Sequence, residues 1–120
     1  MSEYDEQKLV FAWANFFEIK YPELGLLNGS LNGVRLTIGQ AVNAKLAGMK
    51  KGFPDINLPV ARRGFNGLFI ELKRRDGVAS DVKKEQKKWL TGLSKNGYHA
   101  VVCFGADEAI AVLQWYLYGK

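Results

Sequence analysis

Cysteine and histidine are nearly absent from this chain, with Cys103 and His99 the single example of each. One cysteine excludes an intrachain disulfide and any cysteine-cluster metal site, so a metal bound here is held by oxygen ligands. His99 opens an apolar run and Cys103 lies within Val101-Val102-Cys103-Phe104. Both read as packing positions rather than as a general base or a nucleophile. Long apolar runs are missing too: no stretch approaches the ~20 residues of a membrane span. The polar start Met1-Ser2-Glu3-Tyr4-Asp5-Glu6 lacks the basic and apolar regions of a signal peptide. A cytoplasmic location with no membrane partner is the resulting expectation. No repeat, low-complexity tract or linker divides the sequence, and 120 residues at 48% hydrophobic suffice for one core. Residues 1–120 are therefore expected to form a single domain.

What the chain has in excess is positive charge. Seventeen Lys and Arg face twelve Asp and Glu, a net +5, and the basic residues cluster at Lys50-Lys51, Arg62-Arg63, Lys73-Arg74-Arg75 and Lys83-Lys84 with Lys87-Lys88. Such clusters suit a polyanionic partner, although solvated surface accounts for lysines equally well. Trp13, Trp89 and Trp115 fall on helical apolar faces and read as core.

Hydrophobic period sets the element order. Leu9, Val10, Trp13, Phe16 and Phe17 recur at helical spacing from Glu3 to about Lys20, where Tyr21-Pro22 stops the pattern. Leu26-Leu27 and Val34-Arg35-Leu36 flank a Gly/Asn/Ser stretch and either pair as a short hairpin or form a plain loop. Thr37 to Met49 reads as a second helix with Val42, Leu46 and Met49 on one side. Strands follow at about Asp55 to Ala61 and Leu68 to Lys73. A third helix, capped by Ser80 or Asp81, reaches about Ser94 and stops at Asn96-Gly97. His99 to Phe104 reads as a buried strand, and Asp107 to about Tyr118 as a terminal helix. A strand reached through a crossover helix lies parallel to its predecessor, so the expected fold is α/β, a mixed β-sheet flanked by helices.

Within that order sits an acidic motif with a basic partner. Gly52-Phe53-Pro54-Asp55 is followed, sixteen residues after the aspartate, by Glu71-Leu72-Lys73 inside an apolar run. On a strand, Phe69, Glu71 and Lys73 project from one face and Leu68, Ile70 and Leu72 from the other. A hairpin through Arg62 to Gly67 sets Asp55 beside that strand, and two carboxylates then converge on one hard cation. Mg²⁺ takes oxygen ligands and keeps several waters, which suits Asp55 and Glu71 as ligands. A bound ion polarises a phosphoryl oxygen and activates a water, while Lys73 sets positive charge against the charge that develops on phosphorus.

This constellation resembles the PD-(D/E)XK nuclease superfamily, and more closely its VRR-NUC (virus-type replication-repair nuclease) family, over nearly the whole chain. Beyond the core motif, the match takes in Glu6, Asn32-Gly33 with Arg35, Gly48 and Gly52, Gln86, and Gly97-Tyr98. The resemblance implies a restriction-endonuclease-like core and Mg²⁺ or Mn²⁺ as cofactor. It also implies the Leu72 main-chain carbonyl as a third protein ligand, Glu6 as a first-helix acid or water-mediated ligand, and Gln86 as a site glutamine. Read without the resemblance, Glu6 simply favours the helix dipole and Gln86 caps a sheet hydrogen bond. One departure is Lys83, where many relatives carry Ser or Thr three residues before the glutamine.

Stand-alone members of the family imply a structure-selective DNA endonuclease, a phage-type resolvase of Holliday junctions or other branched DNA, working in a bacterial or phage-infected cell. Arg35, Lys51, Arg74, Lys87 and Lys88 are the expected DNA contacts. Opposed cuts in a junction call for two sites, hence a homodimer, with Trp115-Tyr116-Leu117-Tyr118 as a candidate interface. The alternative is a non-catalytic nucleic-acid-binding module on the same fold. Retention of Asp55, Glu71 and Lys73 argues against it, because paired acids repel a polyanion unless a cation intervenes. Phosphate contacts alone do not separate DNA from RNA.

Overall fold

The computed structural model of the protein describes residues 1–30 and 34–119. Helix α1 (Glu3–Phe17) begins at a capping box in which Ser2 Oγ accepts from Asp5 N and Asp5 Oδ2 accepts from Ser2 N, each at 3.1 Å. Its Val10 and Ala14 are buried and Trp13 and Phe17 pack against the core. Pro22 cannot extend a helix and instead opens a 3₁₀ turn, Pro22–Leu26.

The short strand β1 (Asn28–Gly29) pairs antiparallel with β2 (Ile56–Leu58). This replaces the hairpin considered between Leu26-Leu27 and Val34-Arg35-Leu36, since residues 34–37 carry no strand. Asn28 and Asn57 exchange side-chain amide hydrogen bonds at 2.9 Å in both directions, which fastens this segment to the sheet edge. Asn32 and Gly33 lie outside the described residues.

Helix α2 (Ile38–Leu46) is set by a second capping box, Thr37 with Gln40. Its expected apolar side does not enter the core: Val42 and Leu46 are exposed, Met49 lies beyond the helix and is half-buried, and no residue of the helix is buried. The cap and local propensity suffice for the helix, whereas burial requires a partner surface that the described residues do not supply.

Strand β2 runs antiparallel to β3 (Leu68–Lys73), with Ile56 opposite Ile70. The chain then crosses through α3 (Lys84–Lys95) to β4 (His99–Phe104), parallel to β3 with Glu71 opposite Val102. The sheet order is β1-β2-β3-β4. Ser80 and Asp81 do not cap α3. They sit in a 3₁₀ turn, Ala79–Asp81, where Asp81 Oδ2 accepts from Val78 N, and Lys83 is the N-cap.

Helix α4 (Ala106–Tyr118) closes the fold. Leu68, Ile70 and Leu72 form one core with Val10 and Ala14 of α1 and Ala109 and Leu113 of α4. By alternation, Phe69, Glu71 and Lys73 face the opposite side, where α3 lies. Tyr116, a member of the proposed interface tail, is buried and donates to Val60 O at 2.7 Å. Trp115 lies under the Arg63 guanidinium at 4.4 Å and remains partly exposed, so of this tail Tyr116 is the residue that serves the core. His99 packs against the Phe65, Trp115 and Tyr116 rings, and burial lowers its pKa, as a packing role requires. Among the described residues no helix is long and apolar enough to cross a membrane.

Candidate active site

The site forms where the loop ahead of β2 meets β3 and the first turn of α3. Gly52 adopts φ +90°, and a Cβ there would come within 2.7 Å of the Glu85 main chain. Only glycine lets the loop approach α3 so closely in that conformation. Trp89 Nε1 donates to Lys51 O at 3.2 Å and the Trp89 ring meets Phe53 edge-on at 5.1 Å, which fixes the loop from the helix side. Pro54 is buried, and Asp55 Oδ2 accepts the Leu72 N–H at 2.7 Å. The aspartate is thereby locked to the middle of the Glu71-Leu72-Lys73 segment. The hydrogen-bonded group at Leu72 is its N–H; the carbonyl that the family pattern offers a metal belongs to the same residue.

Glu71 and Lys73 are 1% and 4% exposed, unusual for ionisable side chains and tolerable only with partners. Lys73 Nζ stands 3.7 Å from Glu71 Oε2, and Gln86 Nε2 donates to the same oxygen at 3.0 Å. Gln86 Oε1 accepts from Lys83 N at 2.8 Å. Burial, then the Asp55 charge, then a hydrogen bond with Asp55 push the Glu71 carboxyl up to about 9, against the pull of Lys73. A single lysine does not neutralise this desolvated acid pair, and a hard cation would. The donor set therefore fits a divalent ion held by oxygen. Among the described residues no three acidic, His or Cys side chains gather into a metal-binding group. Such an ion would rely on Asp55, Glu71, a main-chain carbonyl and water.

Above this acid pair opens a cleft of about 570 Å³. Asp55, Lys73 and Gln86 line it, as do Lys51 and Arg74 from the expected DNA contacts. Arg74 is paired with Asp76 through both Nε and Nη2, at 3.2 and 2.9 Å. Lys87 and Lys88 are exposed on α3 and Arg35 is exposed ahead of α2, all three outside the cleft lining.

Glu6 is absent from that lining as well. It is fully buried, and its carboxylate accepts four hydrogen bonds, from Arg75 N, Nε and Nη2 and from Ala106 N, between 2.9 and 3.2 Å. Arg75 above all holds its pKa down to about 2. The reading of Glu6 as a site acid gives way to that of a clamp joining α1, the chain after β3 and the start of α4. The first-helix acid that does line the cleft is Glu3, whose charge helps to raise the Glu71 pKa. Glu3 precedes Glu6 by three residues on the same helix, and the apolar stripe alone does not choose between them. Lys83 lines the cleft too, so the departure from Ser or Thr puts a cation in its wall.

Comparison with known proteins gives the family. The model of the VRR-NUC domain matches residues 7–107, a span that holds Asp55, Glu71, Lys73 and Gln86 and begins after Glu3 and Glu6. A solved structure described as a VRR_NUC domain protein superposes with a TM-score of 0.81 at 30% identity, over 98% of this chain and 88% of that one. Comparison with curated proteins gives no match. The chain belongs to the VRR-NUC family, and its function is of the nuclease type that this domain carries.

Proposed function

We propose that the protein is a divalent-metal-dependent DNA endonuclease selective for branched DNA, acting on four-way junctions as a homodimer. The observation that carries the reading is half-buried Asp55 beside buried Glu71 and Lys73, at a cleft that Asp55 and Lys73 line together with Lys51, Arg74 and Lys83 and with the acids Glu3, Asp76, Asp81 and Glu85. Asp55, Glu71 and the Leu72 carbonyl would hold Mg²⁺ or Mn²⁺. Bound there, the ion supplies Lewis-acid polarisation of a phosphoryl oxygen and a water of lowered pKa. Lys73 sets its ammonium against the negative charge that grows on the phosphate in the transition state. Gln86 holds the Glu71 carboxylate in one orientation, and Lys51 and Lys83 in the cleft wall would contact the strand's phosphates. A four-way junction has two opposed strands to cut, so a two-fold pair of sites answers its symmetry.

The test is cleavage of a labelled four-way junction beside linear duplex, single strand and splayed arm, with Mg²⁺, Mn²⁺ or EDTA, comparing the native chain with Asp55→Ala. Paired incisions in the junction that need metal and Asp55 are expected. Cutting confined to other substrates removes the junction selectivity, and binding without cutting on any substrate replaces the enzyme with a binding module.

A further inference from the structure

A second groove, of about 840 Å³, opens between α3 and the loop before Asp55. Lys51 and Glu85 line both this groove and the cleft, so the two depressions adjoin. Resting on the nuclease reading above, we infer that the groove takes an unpaired DNA strand as it leaves the cleft, with phosphates against Lys51 and Lys88 and bases against Trp89 and Tyr98. Lys51 and Lys88 stand against the lone acid Glu85 in the walls that these residues form, which suits a phosphate chain.

The aromatic content decides between an unpaired strand and a duplex. Trp89 and Tyr98 are half-buried and line the groove. Their rings are held from below by a continuous ladder: Trp89 meets Phe53 at 5.1 Å, Phe53 meets Phe69 at 5.7 Å, and Phe69 meets Tyr98 at 5.3 Å, each edge-on. The sequence assigns Trp89 to packing, and the structure gives it that role together with a place in the groove wall. A duplex keeps its base faces stacked and offers phosphates and groove edges, for which recessed aromatic rings have no use. An unpaired strand presents base faces that stack on aromatic side chains whatever the sequence.

Gly92 adds a separate observation. It lies in the interior of α3 and lines the groove, yet a Cβ there would meet nothing within 4 Å. Packing does not demand glycine at this position, and glycine weakens a helix interior relative to alanine. Its effect is to leave the groove open.

Binding without divalent metal, measured by fluorescence anisotropy on flush duplex and on duplex with an unpaired tail, tests the inference through Gly92→Glu and Gly92→Lys. Both variants are expected to melt at or above the native temperature, because each replaces a helix-interior glycine. The native chain should prefer the tailed duplex, and both variants should weaken that complex by filling the groove, Gly92→Glu more than Gly92→Lys, with roughly a tenfold loss for Gly92→Glu. Flush duplex should change much less. Equal affinity for tailed and flush duplex in the native chain, or equal shifts on both substrates in the variants, overturns the groove assignment. Cleavage is scored separately with Mg²⁺: activity that needs Asp55 alongside no tail preference removes the groove alone, whereas no cutting on any substrate removes the nuclease reading beneath it.

Discussion

Gln86 donates to the buried Glu71 carboxylate across 3.0 Å while its own oxygen accepts the Lys83 N–H across 2.8 Å, so one amide ties the first turn of α3 to the acid on β3. Partners of this kind fix a ligand's orientation rather than touch the reacting atoms. Gln86→Ala is expected to lower metal affinity or turnover by about 10- to 100-fold, the range for loss of such a supporting contact. Part of the loss should be recovered at high Mg²⁺. A metal titration of cleavage rate checks this, and an unchanged curve would remove Gln86 from the site.

The raised pKa of Glu71 makes metal binding a proton exchange. Without a divalent ion the carboxyl keeps its proton at neutral pH, and an ion that binds there has to displace it. Apparent Mg²⁺ or Mn²⁺ affinity is therefore expected to rise with pH toward about 9, with proton release on binding. The sign for stability follows from the same shift. The folded pKa lies above the unfolded one, so the contribution of Glu71 is full below about 4.5 and is lost as pH climbs toward 9. Calorimetry in two buffers of different ionisation enthalpy reads the proton, and metal-free melting against pH reads the stability. Glu71→Gln should abolish both dependences along with cleavage.

Glu6 and Arg75 make the opposite case, an acid whose charged form the fold stabilises. Four donors surround its carboxylate, one of them the main-chain N–H of Ala106 at the start of α4, where a negative charge is favourable. Because the Arg75 side chain is half exposed, screening reduces the value of the pair, and Glu6→Gln should cost about 2 kcal/mol. This contribution is present above about 4.5 and lost as pH falls toward 2, the reverse of Glu71. Denaturant melts at pH 7 and pH 3 should show the variant's deficit shrinking with acid. Metal affinity of the folded variant should match the native chain; a collapse would return Glu6 to the metal site.

The geometry of the candidate core was legible because its constraints are local. Pro54-Asp55 lies immediately ahead of β2, which pairs antiparallel with the strand of Glu71-Leu72-Lys73, so alternation puts Glu71 and Lys73 on one face and the pairing brings Asp55 beside them. Gln86 came from the resemblance, since the phase of its helix alone suits a residue that caps a sheet hydrogen bond equally well. Burial of α2 was not foreseeable in the same way, since a period of apolar residues gives a face but not what covers it, and here Ile38, Val42 and Leu46 remain exposed. The pairing of β1 was hidden for a similar reason: Asn28 and Asn57 find each other through side-chain amides 29 residues apart in sequence, where no local pattern points. The choice between Glu3 and Glu6 turned on the position of Arg75 and of Ala106, residues distant in the chain.

Glu3, and not Glu6, lines the cleft, and a paired substitution tests which of the two serves the site. Glu3 is exposed, lines the cleft and adds negative charge near Glu71, whereas Glu6 is buried and faces away from the cleft into its ring of donors. An exposed acid whose position packing does not fix contributes little to folding, so Glu3→Gln is expected to leave the melting temperature within about 1 °C of native. Its loss should fall on cleavage instead, by about tenfold at limiting metal, because the acid neighbourhood that favours a cation over the cleft is weakened. Glu6→Gln should show the converse, a lowered melting temperature with near-native turnover per folded molecule. Measuring both variants side by side by thermal melt and single-turnover cleavage separates the two, and a Glu3→Gln enzyme that cuts at the native rate across the metal titration would leave the cleft without a first-helix acid.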